Sequence, residues 1–171
     1  MNQHRQLVMD LLTAPWVFPF ASRLLPACPS ARKLYFRALA PAFAYTTPSL
    51  GRPTTFDKAR FFALIFQDLL PAFPDLSFNA AFVTTTGLDD LAHVTVAVTG
   101  THTGAPFGAS LGLPPLPAQG ARVALPPEFW RLRIEDLTVL SLQADPPAPG
   151  MERLAFPGGI YAALGGQLPG F

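Results

Sequence analysis

Apolar residues recur at helical spacing in the first part of the chain, which predicts three helices over 4–12, 30–40 and 54–70. Ser30 suits the N-cap of the second helix. In the third, Thr54 with Asp57 resembles a capping arrangement. Prolines end all three patterns, at Pro15, Pro41 and Pro71. The third helix has the clearest apolar face, formed by Phe62, Ile65, Phe66 and Leu69.

After residue 75 the hydrophobic period changes to two, which predicts strands over 76–86, 91–102, 121–136 and 137–145. The third strand is expected to break at Pro126–Pro127, since proline cannot donate to a ladder. Residues 158–171 suit a short helix or turn. Helices followed by antiparallel strands predict an α+β domain, with helices packed on one face of a curved sheet. We expect one domain over 1–171, in which 1–30 is the less certain helical segment.

Side-chain parity bears on three polar residues, because successive strand residues point to opposite faces. His102 shares a face with Val94, Val96 and Val98 unless Gly100 forms a bulge, which would reverse its direction. Glu128 falls on the apolar face of the next strand, where an unpaired carboxylate would be costly or have a raised pKa. Parity does not decide whether Asp145 faces a pocket or solvent.

Composition excludes several classes of protein. Half of the chain is hydrophobic, 13% is charged and the formal net charge is +1, which argues against disorder. No basic face is visible, so we expect no nucleic acid partner. The single cysteine, Cys28, excludes an internal disulfide and a multi-cysteine zinc site, and we expect it to be a small buried residue. We predict no metal and no cofactor.

The apolar N-terminal stretch resembles a signal peptide only superficially. Asp10 interrupts its apolar run and three prolines cut the later part, whereas a signal peptide has an unbroken apolar core of about 7–15 residues. No segment approaches the ~20 apolar residues of a spanning helix. We therefore expect a soluble cytoplasmic protein without a membrane partner, with an organellar presequence as the alternative.

Several motifs together resemble the SnoaL-like polyketide cyclases of the NTF2-like superfamily. They are the "FPD" at 73–75, the "GTHTG" at 100–104, the Gly–Pro loop "LGLPP" that follows, "EFWRLRIED" and "LTVLSLQAD". The resemblance covers about residues 34–171. It implies a cone-shaped α+β barrel around an apolar cavity, often in a homodimer. It also implies intramolecular aldol chemistry by general acid/base catalysis on a small apolar ligand.

Carried onto this chain, the resemblance makes Asp145 the acid/base and His102 a donor or proton relay. Trp130, Phe62, Phe66 and Phe82 would line the pocket, although the phenylalanines of 56–66 also suit a plain core. Glu128 is a third ionisable candidate from parity rather than from a family motif.

The chain departs from the family pattern at several positions. Thr47 stands where a histidine is common, Gln143 and Ala144 replace bulky residues, and a proline-rich segment follows Asp145. His102 could equally be a histidine at a strand end whose ring hydrogen-bonds to backbone carbonyls. Asp145 could equally be a turn residue that precedes Pro146. Two functions therefore stay open: a cofactor-independent cyclase or isomerase, and a non-catalytic ligand-binding or dimerisation module.

Overall fold

The computed structural model describes residue 37 and residues 39–85, 91–135 and 138–171. The predicted helix over 4–12, most of that over 30–40, and Cys28 lie outside them. The described strands are β1 (Leu39–Thr47), β2 (Thr54–Asp57), β3 (Ala81–Thr85), β4 (Leu91–Val96), β5 (Thr99–Thr101), β6 (Arg122–Ala124), β7 (Glu128–Glu135) and β8 (Thr138–Asp145). The helices are α1 (Lys58–Ala63), a π-helical segment (Leu64–Leu69), α2 (Leu70–Ala72), 3-10 turns at Ala109–Leu111 and Glu152–Leu154, and α3 (Gly158–Ala163).

β1 corrects the prediction that a helix continues up to Pro41. Phe43, Tyr45 and Thr47 are buried, while Ala44 and Thr46 between them are partly exposed. This alternation is that of a strand, and aromatic and β-branched residues favour it. The pairing of β1 is irregular between Leu39 and Ala44, in the region of Pro41. Proline has no N–H to donate, which accounts for an interruption there.

The helix predicted over 54–70 begins four residues later. Thr54 and Asp57 belong to β2, which pairs with β1, and Asp57 Oδ1 caps α1 by accepting a hydrogen bond from the Arg60 N–H. The helix then passes through the π-helical segment and ends at Ala72, one residue after Pro71. Phe61 packs against Phe43 and Tyr45, with ring centroids 5.1 and 5.2 Å apart. The helix therefore covers the inner face of the sheet beside β1.

The main sheet is curved, six-stranded and mixed, in the order β2-β1-β8-β7-β4-β3. The α+β prediction is confirmed. The predicted strands β3, β4, β7 and β8 pair antiparallel as expected, whereas β1, which the sequence pattern did not predict as a strand, runs parallel to β8. Within the described residues, β2 and β3 are edge strands, and the sheet does not close on itself.

The strand predicted over 91–102 is divided at Ala97 and Val98. β4 belongs to the main sheet, whereas β5 pairs with β6 in a separate two-stranded sheet. Gly100 pairs regularly with Val123, so this position has no bulge. His102 consequently stays on the side of the valines and is fully buried.

β7 confirms the parity prediction, and β8 shows why parity left Asp145 undecided. Along β7 buried and exposed residues alternate strictly, starting with buried Glu128. Arg133 pairs with Ser141 but Ile134 pairs with Val139, so Leu140 is an extra residue in β8. This bulge reverses the faces of β8 partway along the strand. Asp145 then pairs with exposed Phe129 on the outer face.

The break at Pro126–Pro127 is confirmed, since β6 ends at Ala124 and β7 begins at Glu128. The predicted C-terminal helix is present as α3. In the part of the chain that the structure describes, no helix is long and apolar enough to cross a membrane.

Candidate functional site

Glu128 is the buried carboxyl on the inner face of the main sheet, with 1% of its surface exposed. Its Oε1 atom accepts a hydrogen bond of 2.7 Å from Trp130 Nε1, which lies two residues further along the same face of β7. The Phe156 backbone N–H lies 3.1 Å from Oε2 and 3.3 Å from Oε1. The carboxyl orientation is thereby fixed from two sides, by its own strand and by the segment that precedes α3.

Burial dominates the electrostatics of Glu128. Removal from water disfavours the charged form and raises the pKa of this carboxyl to about 8, although the hydrogen bonds from Trp130 and Phe156 lower it. Burial also raises the pKa of the Tyr45 phenol, and a negative charge on Glu128 raises it further. At neutral pH the inner face thus holds a mostly protonated carboxylic acid and a neutral phenol.

The other side of the Phe156 peptide is bound by β1. The Phe156 carbonyl oxygen accepts hydrogen bonds from the Tyr45 hydroxyl at 2.6 Å and from the Thr47 hydroxyl at 2.7 Å. Ser49 Oγ lies 3.0 Å from Thr47 Oγ1 and accepts from the Gly158 N–H at 3.0 Å. Tyr45, Thr47 and Ser49 are all fully buried. This polar cluster holds the Phe156 peptide, which in turn holds Glu128.

Aromatic rings surround Glu128 and its partners. The rings of Phe78, Trp130 and Phe156 lie 5.1 to 5.5 Å from one another, and Tyr45 lies 5.9 Å from Trp130 and 6.0 Å from Phe156. All four residues are buried. Trp130, which the family resemblance assigned to a pocket wall, is therefore in contact with both a candidate acid/base and the aromatic core.

The predicted phenylalanine wall is only partly described. Phe66 is buried in the π-helical segment and stacks on Phe62, with ring centroids 4.5 Å apart. Phe82 pairs with Val94 in the sheet, and its side chain lies outside the described part of the structure. That these residues bind substrate stays a prediction.

His102 lies in a different environment from Glu128. Its Nε2 donates a hydrogen bond of 2.8 Å to the Ala105 carbonyl oxygen, and its ring stacks on Phe73 at 4.9 Å. Nδ1 is buried with no hydrogen-bond partner. This is the geometry of a strand-end histidine that closes a loop. The hydrogen bonds of His102 and Glu128 share no partner.

Asp145 lies on the opposite face of the sheet from Glu128. Its Oδ1 accepts from Arg131 Nη2 at 2.9 Å, and the two side chains are 38% and 45% exposed. The structure does not bring Asp145 together with His102 or Glu128. The proposed acid/base role of Asp145 stays a prediction from the family resemblance, without support from these positions.

Sequence reasoning missed the β1 residues and Phe156. The alternation of Phe43, Tyr45 and Thr47 was the available signal for an inward-facing strand. The contribution of Phe156 comes from backbone groups, which leave no side-chain pattern. Thr47, noted as a departure from the family, is a hydrogen-bond donor in this cluster. Within the described residues, no three His, Cys, Asp or Glu side chains are grouped to hold a metal ion.

Comparison with known proteins identifies the fold. No protein-family profile and no curated protein matches the chain. A "putative SnoaL-like polyketide cyclase" from Jannaschia sp. CCS1 superposes with a TM-score of 0.58 at 20% identity, covering 95% of this chain and 91% of that one. IdmH, a "putative polyketide cyclase" from Streptomyces antibioticus, superposes with a TM-score of 0.60 at 18% identity, covering 96% of this chain and 99% of that one.

A third structure with this fold carries a different name. A phenazine biosynthesis-related protein from Pseudomonas aeruginosa gives a TM-score of 0.59 at 12% identity, covering 98% of this chain and 88% of that one. The chain therefore shares the fold of these structures, one of them named SnoaL-like, which agrees with the fold that the sequence motifs implied. At 12–20% identity these likenesses establish the fold and not the reaction.

Proposed function

We propose that this SnoaL-like chain is a cofactor-independent isomerase or cyclase for an apolar carbonyl compound, polyketide- or steroid-like, and that Glu128 is its proton-transferring group. One observation carries the proposal. Glu128 is a carboxyl on the inner face whose pKa, about 8, lies close to neutral pH. A general acid/base works best when its pKa is near the working pH.

The chemistry needs one group that takes up a proton and gives it back. At pH 7 a carboxyl of pKa about 8 is ionised in about one tenth of the molecules. That carboxylate removes a proton from the carbon next to a carbonyl, leaving an enolate and the Glu128 carboxylic acid. In an isomerisation the acid returns the proton to another carbon. In a cyclisation the enolate carbon attacks a second carbonyl, and the acid protonates the new alkoxide.

Substrate access requires the aromatic layer to move. With 1% of Glu128 exposed, a substrate reaches the carboxyl only when a neighbouring ring is displaced. Phe78 and Phe156 are two of the rings packed on Trp130. An apolar substrate that replaces one of these rings keeps Glu128 away from water and so preserves its raised pKa.

Carbon-acid exchange tests the proposal without requiring the natural product to be known. Aromatic polyketides and steroid ketones are incubated with the protein in D₂O, and NMR follows deuterium at the carbon next to the carbonyl. We expect the rate of deuterium exchange to be at least about 100-fold lower in Glu128→Gln than in the wild type. Asp145→Asn and His102→Gln should retain it. Loss in Asp145→Asn with retention in Glu128→Gln would overturn the assignment to Glu128.

A non-catalytic ligand-binding module is the second candidate, because the described rings on the inner face pack on one another and the candidate ionisable residues are dispersed. The same panel separates the two functions by thermal shift. A rise in melting temperature without any deuterium exchange favours the binding module. Exchange that depends on Glu128 favours the enzyme.

A further inference from the structure

A groove at the molecular surface contains two arginines and is separate from the Glu128 cluster. It encloses about 460 Å³ and opens to solvent between the β1–β2 turn, α1, the 3-10 turn at Ala109–Leu111 and the C-terminal residues. Leu50, Leu111 and Pro169 provide its apolar lining, and Thr54, Arg52 and Arg60 its polar lining.

Among the described residues, neither guanidinium group has a carboxylate partner. The described residues form one ion pair, between Arg131 and Asp145, and it lies elsewhere on the sheet. Asp57, the acidic residue nearest to Arg60 in sequence, uses its Oδ1 for the Arg60 backbone N–H rather than for an ion pair with the guanidinium. Because arginine remains protonated in proteins, the groove has two positive charges that form no ion pair with a described carboxylate.

The walls of the groove are held in place. Arg60 Nη1 donates to the Thr55 carbonyl oxygen at 3.2 Å, and its guanidinium lies 4.8 Å from the centre of the Phe56 ring. Next to Leu111, another lining residue, the N–H and hydroxyl of Ser110 donate hydrogen bonds to buried Asp68. One cation and the segment that carries one apolar lining residue are thus positioned before any ligand arrives, which reduces the ordering cost of binding.

We propose that this groove binds an organic oxyanion, with a carboxylate or phosphate group held by Arg52 and Arg60 and an apolar portion lying against Leu50, Leu111 and Pro169. Guanidinium groups match both oxyanions through paired, charge-assisted hydrogen bonds. The apolar lining favours an amphiphile over a free inorganic ion. The site does not depend on the reaction assigned to Glu128.

Calorimetric titration of the full chain with octanoate, octyl phosphate and octyl glucoside tests the site. All three are used below their micellar concentrations. We expect at least one of the two anions to bind, and the neutral glucoside to bind at least about tenfold more weakly than that anion. Binding of octanoate alone identifies a carboxylate ligand, and binding of octyl phosphate alone a phosphate ligand. Equal affinity for the glucoside, or no heat from either anion, would overturn the proposal.

Charge variants locate the binding. Arg52→Gln and Arg60→Gln should each reduce the affinity for the anion by about tenfold, and Arg60→Lys by less because it keeps the charge. Arg133→Gln, an exposed arginine on β7, is the matched control and should bind like wild type. Thermal melting confirms that each variant is folded. An equal loss in Arg133→Gln, or no loss in Arg52→Gln and Arg60→Gln, would show that binding occurs elsewhere.

Discussion

Glu128 and Asp145 both lie at the ends of strands in one sheet, yet their surroundings give them different chemistry. Asp145 and Arg131 form an ion pair in solvent, which typically contributes about 0–1 kcal/mol to stability. Glu128 is buried with two N–H donors and, among the described residues, no cation partner, so its protonation state depends on burial. Of the two carboxyls, the buried one has the properties that proton transfer near neutral pH requires.

His102 acts on stability through packing, and its replacement should show this. His102→Ala removes the ring stacked on Phe73 and the hydrogen bond to the Ala105 carbonyl. We expect the free energy of unfolding to fall by about 2–4 kcal/mol, as for other large-to-small core substitutions. Urea denaturation followed by circular dichroism measures the change.

His93→Ala is the matched control for His102, because His93 is a partly exposed histidine of β4 on the opposite side of the chain. We expect His93→Ala to lower the free energy of unfolding by no more than about 1 kcal/mol. Unchanged stability in His102→Ala, combined with lost exchange activity, would instead return His102 to the catalytic site.

At the scale of elements, the loop after β5 is attached to the end of the helix. The Gly104 N–H donates to the Ala72 carbonyl at 3.0 Å, and the Ala105 N–H to the Pro71 carbonyl at 2.9 Å. His102 closes the same loop through Ala105. The "GTHTG" stretch therefore joins the two-stranded sheet to the helix, a structural role that its resemblance to a family motif does not reveal.

Gly104→Ala tests this attachment. A β-carbon on Gly104 would lie 1.9 Å from the Pro71 carbonyl oxygen, so the loop and the helix end would have to separate. We expect a loss of at least about 2 kcal/mol in unfolding free energy, the size typical of steric disruption in a packed region. Chemical denaturation provides the measurement.

Gly120→Ala serves as the control for backbone conformation. Gly120 has φ of +68° and no atom within 4 Å of an added β-carbon, so only left-handed backbone strain of about 1–2 kcal/mol applies. A cost for Gly104→Ala no greater than for Gly120→Ala would contradict the proposed attachment.

The elements differ in how far sequence could predict them. β7 was predictable because its alternation is strict from Glu128 to Glu135. β1 was not predicted, because the apolar residues before Pro41 have helical spacing and were interpreted as a helix up to residue 40. Phe43, Tyr45 and Thr47 nevertheless alternate as expected for a strand. The face of Asp145 could not be predicted, because the bulge at Leu140 depends on pairing with β7 and leaves no local signal.

At the scale of the molecule, the site is assembled from distant segments. Glu128 and Trp130 are neighbours in β7, and parity alone placed them together. Their link to Tyr45 and Thr47 passes through the Phe156 peptide, 28 residues from Glu128 and 111 from Tyr45. Backbone hydrogen bonds across such separations follow from the completed fold. The sequence therefore predicted that the Glu128 carboxyl lies on the apolar face, but not the backbone groups that hold it there.

The raised pKa of Glu128 makes the stability of the whole chain depend on pH. The folded chain binds the Glu128 proton up to about pH 8, whereas the unfolded chain releases it near pH 4.3, an ordinary glutamate value. Between these values the folded state holds more protons. The stabilising contribution of Glu128 to the free energy of unfolding is therefore fully present below about pH 4 and is lost progressively as the pH rises to about 8.

Glu128→Gln should remove this dependence, because an amide does not titrate in the range. We expect the wild-type unfolding free energy to fall by up to about 1.4 kcal/mol per pH unit across the window, relative to the variant. Denaturation at half-unit steps from pH 5 to 8.5 gives the slopes, so a constant offset from altered hydrogen bonding does not affect the comparison. Glu135→Gln, at the exposed end of the same strand, should keep the wild-type slope. Parallel curves for wild type and Glu128→Gln would mean that Glu128 titrates like a solvated carboxyl, and the acid/base role assigned to it would lose its physical basis.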